Sequence, residues 1–357
     1  MTAKIRHLIC LLLSAAVLVC ISCSLAEGTE VSTFVHHLSG PLNPSIPLKP
    51  VPLTPAEDLK PLPMGIRVKG MPLKLEHISE DFKEYEDSSI HAVVTVDYVE
   101  YEDFKGKGYT NCHIVRITVA DGSQVRSGIS YDDFDGDRLV RARMLAENCN
   151  AVAAVNGDFF KSTTTRGYIF RQGSFFRDKA NAERDVLLID SEGDFHVIEK
   201  ATGKTIEQAM QELPEGVSAV NVFNFGPALV DHGKVTDIAS STTGLAENKD
   251  DSFYYQYRNP RVAVVQLGKL EYAIVECDAE KADGHSGMTL QTFADYIYDL
   301  FPDALIAYNL DGGNSTNVIF PRSGYGNQGL EVQFYRIHNV PESRSLSDIL
   351  YFASLEE

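Results

Sequence analysis

The chain has 357 residues, a formal net charge of -18, 15 prolines and no tryptophan. That acidity sets long-range repulsion against phosphate chains and anionic surfaces, so nucleic acid is excluded as the bulk partner, while a small anionic group can still be held locally by an arginine. No internal repeat or low-complexity array interrupts the last 280 or so residues, a length that supports one large domain with a substantial core.

At the N-terminus Lys4 and Arg6 precede an apolar run from Leu8 to about Ser24, and Ser24-Leu25-Ala26 is a small-x-small cleavage signal. Residues 1–26 therefore read as a signal peptide, and the protein is expected to be secreted or associated with the cell surface. The run is slightly long for such a segment, which leaves an uncleaved anchor open. Cys23 after a small residue leaves lipidation open. A membrane is expected as a partner only through these two routes, because charge interrupts every later hydrophobic run within about a dozen residues. Cleavage after Ala26 leaves Cys112, Cys149 and Cys277, an odd number that cannot all pair within the chain.

Residues 27–75 read as a Pro-rich tether, with nine of the fifteen prolines between Ser39 and Pro72. Spaced prolines remove backbone donors and bias the chain toward an extended helix that spans distance without building a core. The other reading is a strap packed on the catalytic domain through its Leu and Val side chains.

From residue 76 to residue 357 a single domain is expected. Residues 90–99 and 112–119 are rich in β-branched side chains and read as strands joined by an acidic turn. Residues 138–148 carry Leu139, Val140, Met144 and Leu145 on one helical face. Strands follow at 151–155 and 185–189, a short helix at 206–213, and strands at 219–223, 261–267 and 271–276. The clearest helix is 289–300, with Thr289 as its N-cap and Leu290, Phe293, Ile297 and Leu300 as its apolar stripe. It delivers the chain into a short buried strand at 304–308. Helices and strands do not alternate regularly enough for a doubly wound sheet, so the fold class expected is α+β, a single strand-dominated mixed domain with a few packed helices.

Several strand ends place polar groups beside glycine. Asn309-Leu310-Asp311-Gly312-Gly313-Asn314-Ser315-Thr316 concentrates amide, carboxylate, flexible backbone and hydroxyl groups in eight positions, though a tight turn alone accounts for Asp-Gly-Gly. Asn156-Gly157-Asp158-Phe159-Phe160 closes strand 151–155 with an amide and a carboxylate beside an aromatic pair, a mixture suited to a sugar or simply to a filled core. Phe225-Gly226-Pro227 is an ordinary turn signal. Asn259-Pro260-Arg261 sets a guanidinium at a strand mouth, where it can grip a phosphate or make a surface ion pair. Asp278 ends the next strand, and Asp283-Gly284-His285-Ser286-Gly287-Met288-Thr289 feeds the N-terminus of the capped helix, whose backbone donors favour an anion.

Taken in order across about 190 residues, these segments resemble the phosphodiester glycosidase family. The family pattern runs Asn-Gly-Gly-Phe-Phe, Gly-Pro, Pro-Arg entering a strand, an Asp loop with Gly-Met-Thr-Leu, Asn-Leu-Asp-Gly-Gly-Gly-Ser, and a late Arg. Its counterparts here are residues 156–160, Gly226-Pro227, Pro260-Arg261, Asp278 with residues 287–290, residues 309–315, and Arg344. Asp158 and Asn314 stand where the family has glycine, and Ser343 where it has Glu before the late Arg; these departures bear on substrate fit more than on reaction class.

The resemblance implies hydrolysis of the bond between a sugar's anomeric carbon and a phosphate that carries a second group. It requires a carboxylate as nucleophile or base, charge to hold the departing phosphate, and stabilisation of an oxocarbenium-like transition state. On this chain the resemblance gives Asp311 as principal carboxylate and Asp278 as its partner, with Arg261 and Arg344 neutralising phosphate. Asn156 and Asn309 would hold sugar hydroxyls. Gly312, Gly313, Ser315 and Thr316 would supply further donors, and Gly157, Asp158, Thr289 and His285 would complete the substrate contacts. The expected partner is an extracellular carbohydrate phosphodiester, with no cofactor beyond a structural calcium ion that the many Asp residues are able to hold. Two other readings stay open: a non-catalytic carbohydrate-binding module of the cell surface, and a metal-dependent phosphodiesterase, for which no His-x-His or clustered His/Asp spacing appears.

Overall fold

The computed structural model describes residues 32–39, 48–51, 59–133, 138–158, 167–178, 184–238, 253–279, 284–326, 329–337 and 344–357. The signal-peptide segment, Phe159, Phe160, Asp283 and Ser343 lie outside the described residues. Ser32–Glu357 forms one compact unit.

In chain order the early strands are β1 (Thr33–Ser39), β2 (Glu84–Glu86), β3 (Ile90–Asp103), β4 (Gly106–Val119), β5 (Val125–Ile129) and β6 (Ala151–Asn156). Then come β7 (Ile169–Arg171), β8 (Ser174–Arg177), β9 (Val186–Asp190), β10 (Phe195–Ile198), β11 (Ala219–Phe223) and β12 (Ala228–Asp231). The last are β13 (Arg261–Gly268), β14 (Glu271–Cys277), β15 (Ile306–Asn309), β16 (Val318–Gly326), β17 (Gly329–Arg336) and β18 (Asp348–Ala353). The helices are α1 (Ala142–Cys149), α2 (Ile206–Gln211), α3 (Phe253–Gln256) and α4 (Leu290–Leu300).

Among the described residues these strands form three antiparallel sheets. The largest runs β1-β3-β4-β14-β13-β15-β12 with β2 added on β3; the others run β10-β9-β11-β7-β8 and β17-β16-β6-β18-β5. Inner faces of all three meet in one core, where Val115, Val264 and Ile274 of the large sheet pack with Leu187 and Phe223 of the second and Val155, Leu350 and Phe352 of the third. Each sheet covers its outer face with a helix: α4 with Phe293 and Ile297 on the large sheet, α2 with Ile206 on the second, α1 with Leu145 on the third. Strands covered on both faces have no polar side to show, so β6 and β18 are buried at every position and read in sequence as continuous apolar runs. The α+β class stands. The caps follow the sequence as well: Thr289 accepts from the Thr292 N–H at the start of α4, and Thr205 forms a capping box with Gln208 on α2.

The described parts of the 27–75 stretch pair and pack with the domain. β1 pairs along β3 from Thr33↔Glu102 to Ser39↔Val96, and Phe34 and Leu38 join the core under α4. Farther on, Leu62 is buried against α1 and its N–H donates to Ser123 Oγ. Prolines remove donors but leave carbonyls, and the buried Arg126 guanidinium donates to three of these, on Pro63, Gly65 and Val68. Burying such a segment compensates its backbone and gains apolar contact, which a solvated spacer would forgo. No helix among the described residues is long and apolar enough to cross a membrane.

Candidate active site

The polar strand ends noted in the sequence collect along one rim. In the large sheet, register sets Arg261 opposite Cys277 and Ala263 opposite Asn309, so Arg261, Asp278 and residues 309–316 leave adjacent strands at the same edge. The Leu310 N–H donates to the Val262 carbonyl and the Gly313 N–H to the Pro260 carbonyl. Asn156 arrives from the third sheet. Its Nδ2 donates to the Asp311 carbonyl at 2.7 Å, while its Oδ1 accepts from the Asn317 N–H at 2.9 Å. One asparagine therefore grips both ends of the loop that carries Asp311, and it does so from 155 residues away.

That loop is built for close backbone approach. Gly313 sits at φ +59°, where a side chain is strained, and a Cβ on Gly312 would lie 2.9 Å from the Pro260 carbonyl oxygen. Residues Gly313–Ser315 form a short 3-10 turn, Asn317 Nδ2 donates to the Ser315 carbonyl, and Arg336 donates to the Thr316 carbonyl at 2.7 Å. With its backbone so committed, the loop still holds four buried side-chain atoms that lack a hydrogen-bond partner: Asn309 Oδ1, Asp311 Oδ2, Thr316 Oγ1 and Asn317 Oδ1. Buried polar atoms are nearly always paired, and a cluster of unpaired ones marks a place that awaits water or ligand. Burial pushes the Asp311 carboxyl up from the ordinary carboxylate range to about 6, while Ser315 and the cations Arg344 and Arg184 pull against that shift and Asp158 adds to it. Arg344, exposed, donates to Ser315 Oγ at 3.3 Å; Arg184, partly exposed, donates to the Phe225 carbonyl at 2.7 Å and lies over the Phe225 ring. Asp311 thus has one oxygen without a hydrogen-bond partner, and two cations favour its charged form.

Beneath this point lies a second charged group, closed on itself. Arg171, fully buried, donates Nε–H and Nη2–H to Asp348 Oδ2 at 3.1 and 2.7 Å and Nη2–H to Asp158 Oδ2 at 3.1 Å, with its guanidinium 4.0 Å from the centre of the Phe223 ring. Asp158 also accepts from the Asn224 and Phe225 N–H groups. Burial raises the Asp348 carboxyl to about 7, with Arg171 pulling it down and Asp158 raising it. Gly157 fits only as glycine, since a Cβ there would fall 2.6 Å from an Asp348 carboxylate oxygen. This cluster stitches the second sheet to the third at the rim.

The remaining residues singled out in the sequence divide. Asp278 accepts from Thr110 Oγ1 at 2.8 Å and from the Asn111 N–H, and its other oxygen lies 2.9 Å from His285 Nδ1. Arg261, nearly buried, donates to the carbonyls of Met288 and Tyr257 on the α4 side of the sheet. Thr289 is wholly buried as the helix cap, and the Gly313 N–H is committed to Pro260. Asn309 donates Nδ2–H to the Gly226 carbonyl and keeps Oδ1 unpaired. Sequence reasoning missed Arg171, Arg184, Arg336 and Asp348, which sit in short strands or connections with no motif around them; a charged residue inside an apolar run, as Asp348 is before Ile349-Leu350, was the one available signal. Glu84, Glu86 and His91 offer donor atoms within 4.8 Å of one another on β2 and β3, but Lys49 forms ion pairs with both glutamates.

The domain is strand-rich α+β and carries at a sheet rim a carboxyl raised by burial, with Arg344 and Arg184 favouring its charged form. The sequence profile of the phosphodiester glycosidase family matches residues 149–353, more than half of the chain, and the protein belongs to that family. Among solved structures it is similar to the zebrafish N-acetylglucosamine-1-phosphodiester alpha-N-acetylglucosaminidase catalytic domain auto-inhibited by its pro-peptide. That likeness has 18% identity and a TM-score of 0.54 over 76% of this chain and 86% of the other, and it concerns the fold. Weaker likenesses are to a hypothetical protein from Synechocystis (14% identity, TM-score 0.45, 72% and 61% covered) and a putative exported protein from Burkholderia pseudomallei (14%, 0.43, 70% and 74%). No curated protein matches the chain.

Proposed function

We propose that the protein is an exported glycoside hydrolase that cleaves the C–O bond between the anomeric carbon of a sugar and the phosphate of a phosphodiester on an extracellular glycan. The observation that carries this reading is Asp311: a carboxyl raised to about 6, one oxygen buried without a partner, and Arg344 and Arg184 acting on it. Family membership supports the reaction class, and the segment at 1–26 supports the location.

Asp311 is ionised at neutral pH and serves as nucleophile or as the base that takes a proton from water. As the C–O bond breaks, its electron pair leaves on a phosphate oxygen, which needs little protonation because the product is a stable anion. Arg344 and Arg184 hold that charge where it grows. Asn309 Oδ1, Thr316 Oγ1 and Asn317 Oδ1 supply acceptors for sugar hydroxyls or the water that accompanies them. Asn156 acts through the loop, and Asp278 with Arg261 forms the neighbouring part of the rim, on which the rest of the substrate rests.

The test is hydrolysis of a sugar 1-phosphodiester in oxygen-18 water. The reading expects label on the sugar, activity that survives a chelator, and severely reduced turnover in Asp311→Asn. Label on phosphate would mean P–O cleavage, and binding without release of sugar would mean a carbohydrate-binding module.

A further inference from the structure

The three cysteines that follow residue 26 are not equivalent. Cys149 lies on α1, with its sulfur under Gly128 of the third sheet, whereas Cys112 on β4 and Cys277 on β14 are direct register partners in the large sheet. Both point into the core under α4 and both are wholly buried. The Asp278 N–H donates to the Asn111 carbonyl at 2.9 Å, which makes the next rung a hydrogen-bonded pair and Cys112–Cys277 a non-hydrogen-bonded one. In such pairs Cα atoms stand about 4.5 Å apart, inside the window of about 4.4–6.8 Å that disulfides use, and Cβ atoms stand at the near end of about 4.5–5.5 Å, so that only a slight approach brings them into the window of about 3.5–4.5 Å that the S–S bond needs.

We propose that Cys112 and Cys277 form a cross-strand disulfide, a covalent staple one rung before Asp278. Both are thiols in this structure, and little opposes their joining. Cys277 Sγ donates to the Asn259 carbonyl, which also accepts from the Met288 N–H; Cys112 meets the Tyr296 hydroxyl, which also donates to Asp97. Turning each sulfur toward its partner therefore leaves neither group orphaned. The step is thiol–disulfide exchange with a small-molecule or protein disulfide. One thiolate attacks the acceptor's sulfur and releases its other thiol; the second thiolate then displaces the remaining half, so two thiols are oxidised and one disulfide is reduced. Because both sulfurs are buried once the sheet has closed, the bond forms during folding and is shielded afterwards. The odd cysteine count now has a physical sense: two that face each other and a third beneath another sheet.

The reduced, denatured chain from Glu27 onward is refolded in oxidised and reduced glutathione, quenched with an alkylating agent under denaturant, and analysed by intact mass and peptide mapping. The expected product carries one alkyl group, on Cys149, is lighter by two hydrogens than its reduced form, and yields a 112–277 linked peptide. Cys149→Ser should leave the link intact, and the linked protein should melt several degrees above its reduced form. Three alkylated cysteines, glutathione adducts on Cys112 or Cys277, or a bridge from Cys149 would each overturn the proposal. No arm of this experiment reads catalysis, so its outcome is independent of the hydrolase reading.

Discussion

Two clusters of charge meet at the same rim and are built on opposite principles. Around Arg171 each partner is in place: Asp158 and Asp348 take its guanidinium, and backbone N–H groups fill the rest of Asp158. Around Asp311 the backbone is tied down by Asn156, Arg336 and Pro260, while four side-chain atoms are left buried and unpaired. The first cluster uses its carboxylates to hold two sheets together; the second keeps its carboxylate in reserve. Burial and charge alone do not tell the two carboxylates apart, since both Asp348 and Asp311 are raised; hydrogen-bond satisfaction does.

The contrast can be broken most sharply by matched substitutions. Asp311→Asn is expected to lower kcat by a factor on the order of 10^3 or more, measured as sugar release under saturating substrate. Arg171→Met leaves two carboxylates buried without their cation, and a loss of about 3–5 kcal/mol is expected in denaturant unfolding. If Asp311→Asn proved as destabilising as Arg171→Met, the two clusters would not differ in kind.

The sign of the pH dependence separates them further. A carboxyl raised from 3.8 to about 6 makes the folded state favourable when protonated, so its contribution is full below pH 3.8 and is lost as pH rises through 6. Asp311→Asn should therefore be more stable than the parent at pH 7, by on the order of 2–3 kcal/mol in denaturant unfolding, with the gap closing toward pH 4. Activity of the parent should rise with pH through about 6, as the carboxylate forms. Smaller again, Arg344→Ala and Arg184→Ala are each expected to raise KM or lower kcat about tenfold on a phosphodiester, with little effect on melting. The smallest effect concerns the far edge. Burial opposes the charge of His36, but hydrogen bonds to Asp299 and Asp97 hold it at about 9; it helps to dock β1, so stability is expected to fall by a measurable fraction as pH rises from 6.5 through about 9.

Much of the fold was legible. Strands at 90–99, 219–223 and 271–276 and the helix capped by Thr289 declare themselves through β-branched runs and a clear apolar stripe. β1, β5, β10 and the β16–β17 hairpin did not, because short or partly polar strands acquire their state from partners far along the chain. The rim was legible as a list of motifs and illegible as an arrangement. Nothing around Asp158 says that its carboxylate belongs to Arg171, and nothing around Asp348 says that it takes the same guanidinium. Those facts depend on contacts spanning between 13 and 177 residues, which local patterning does not encode.

β1 has one more consequence. β3 is fourteen residues long, and its outer edge is occupied by β1 and, farther along, by β2. A shortened protein starting at residue 76, where the sequence suggests that the domain begins, would keep the rim but bare the half of β3 that Thr33–Ser39 covers. Unpaired backbone on a long strand recruits other strands, so such a protein is expected to self-associate through that edge. The segment that looks like packaging is what closes that edge.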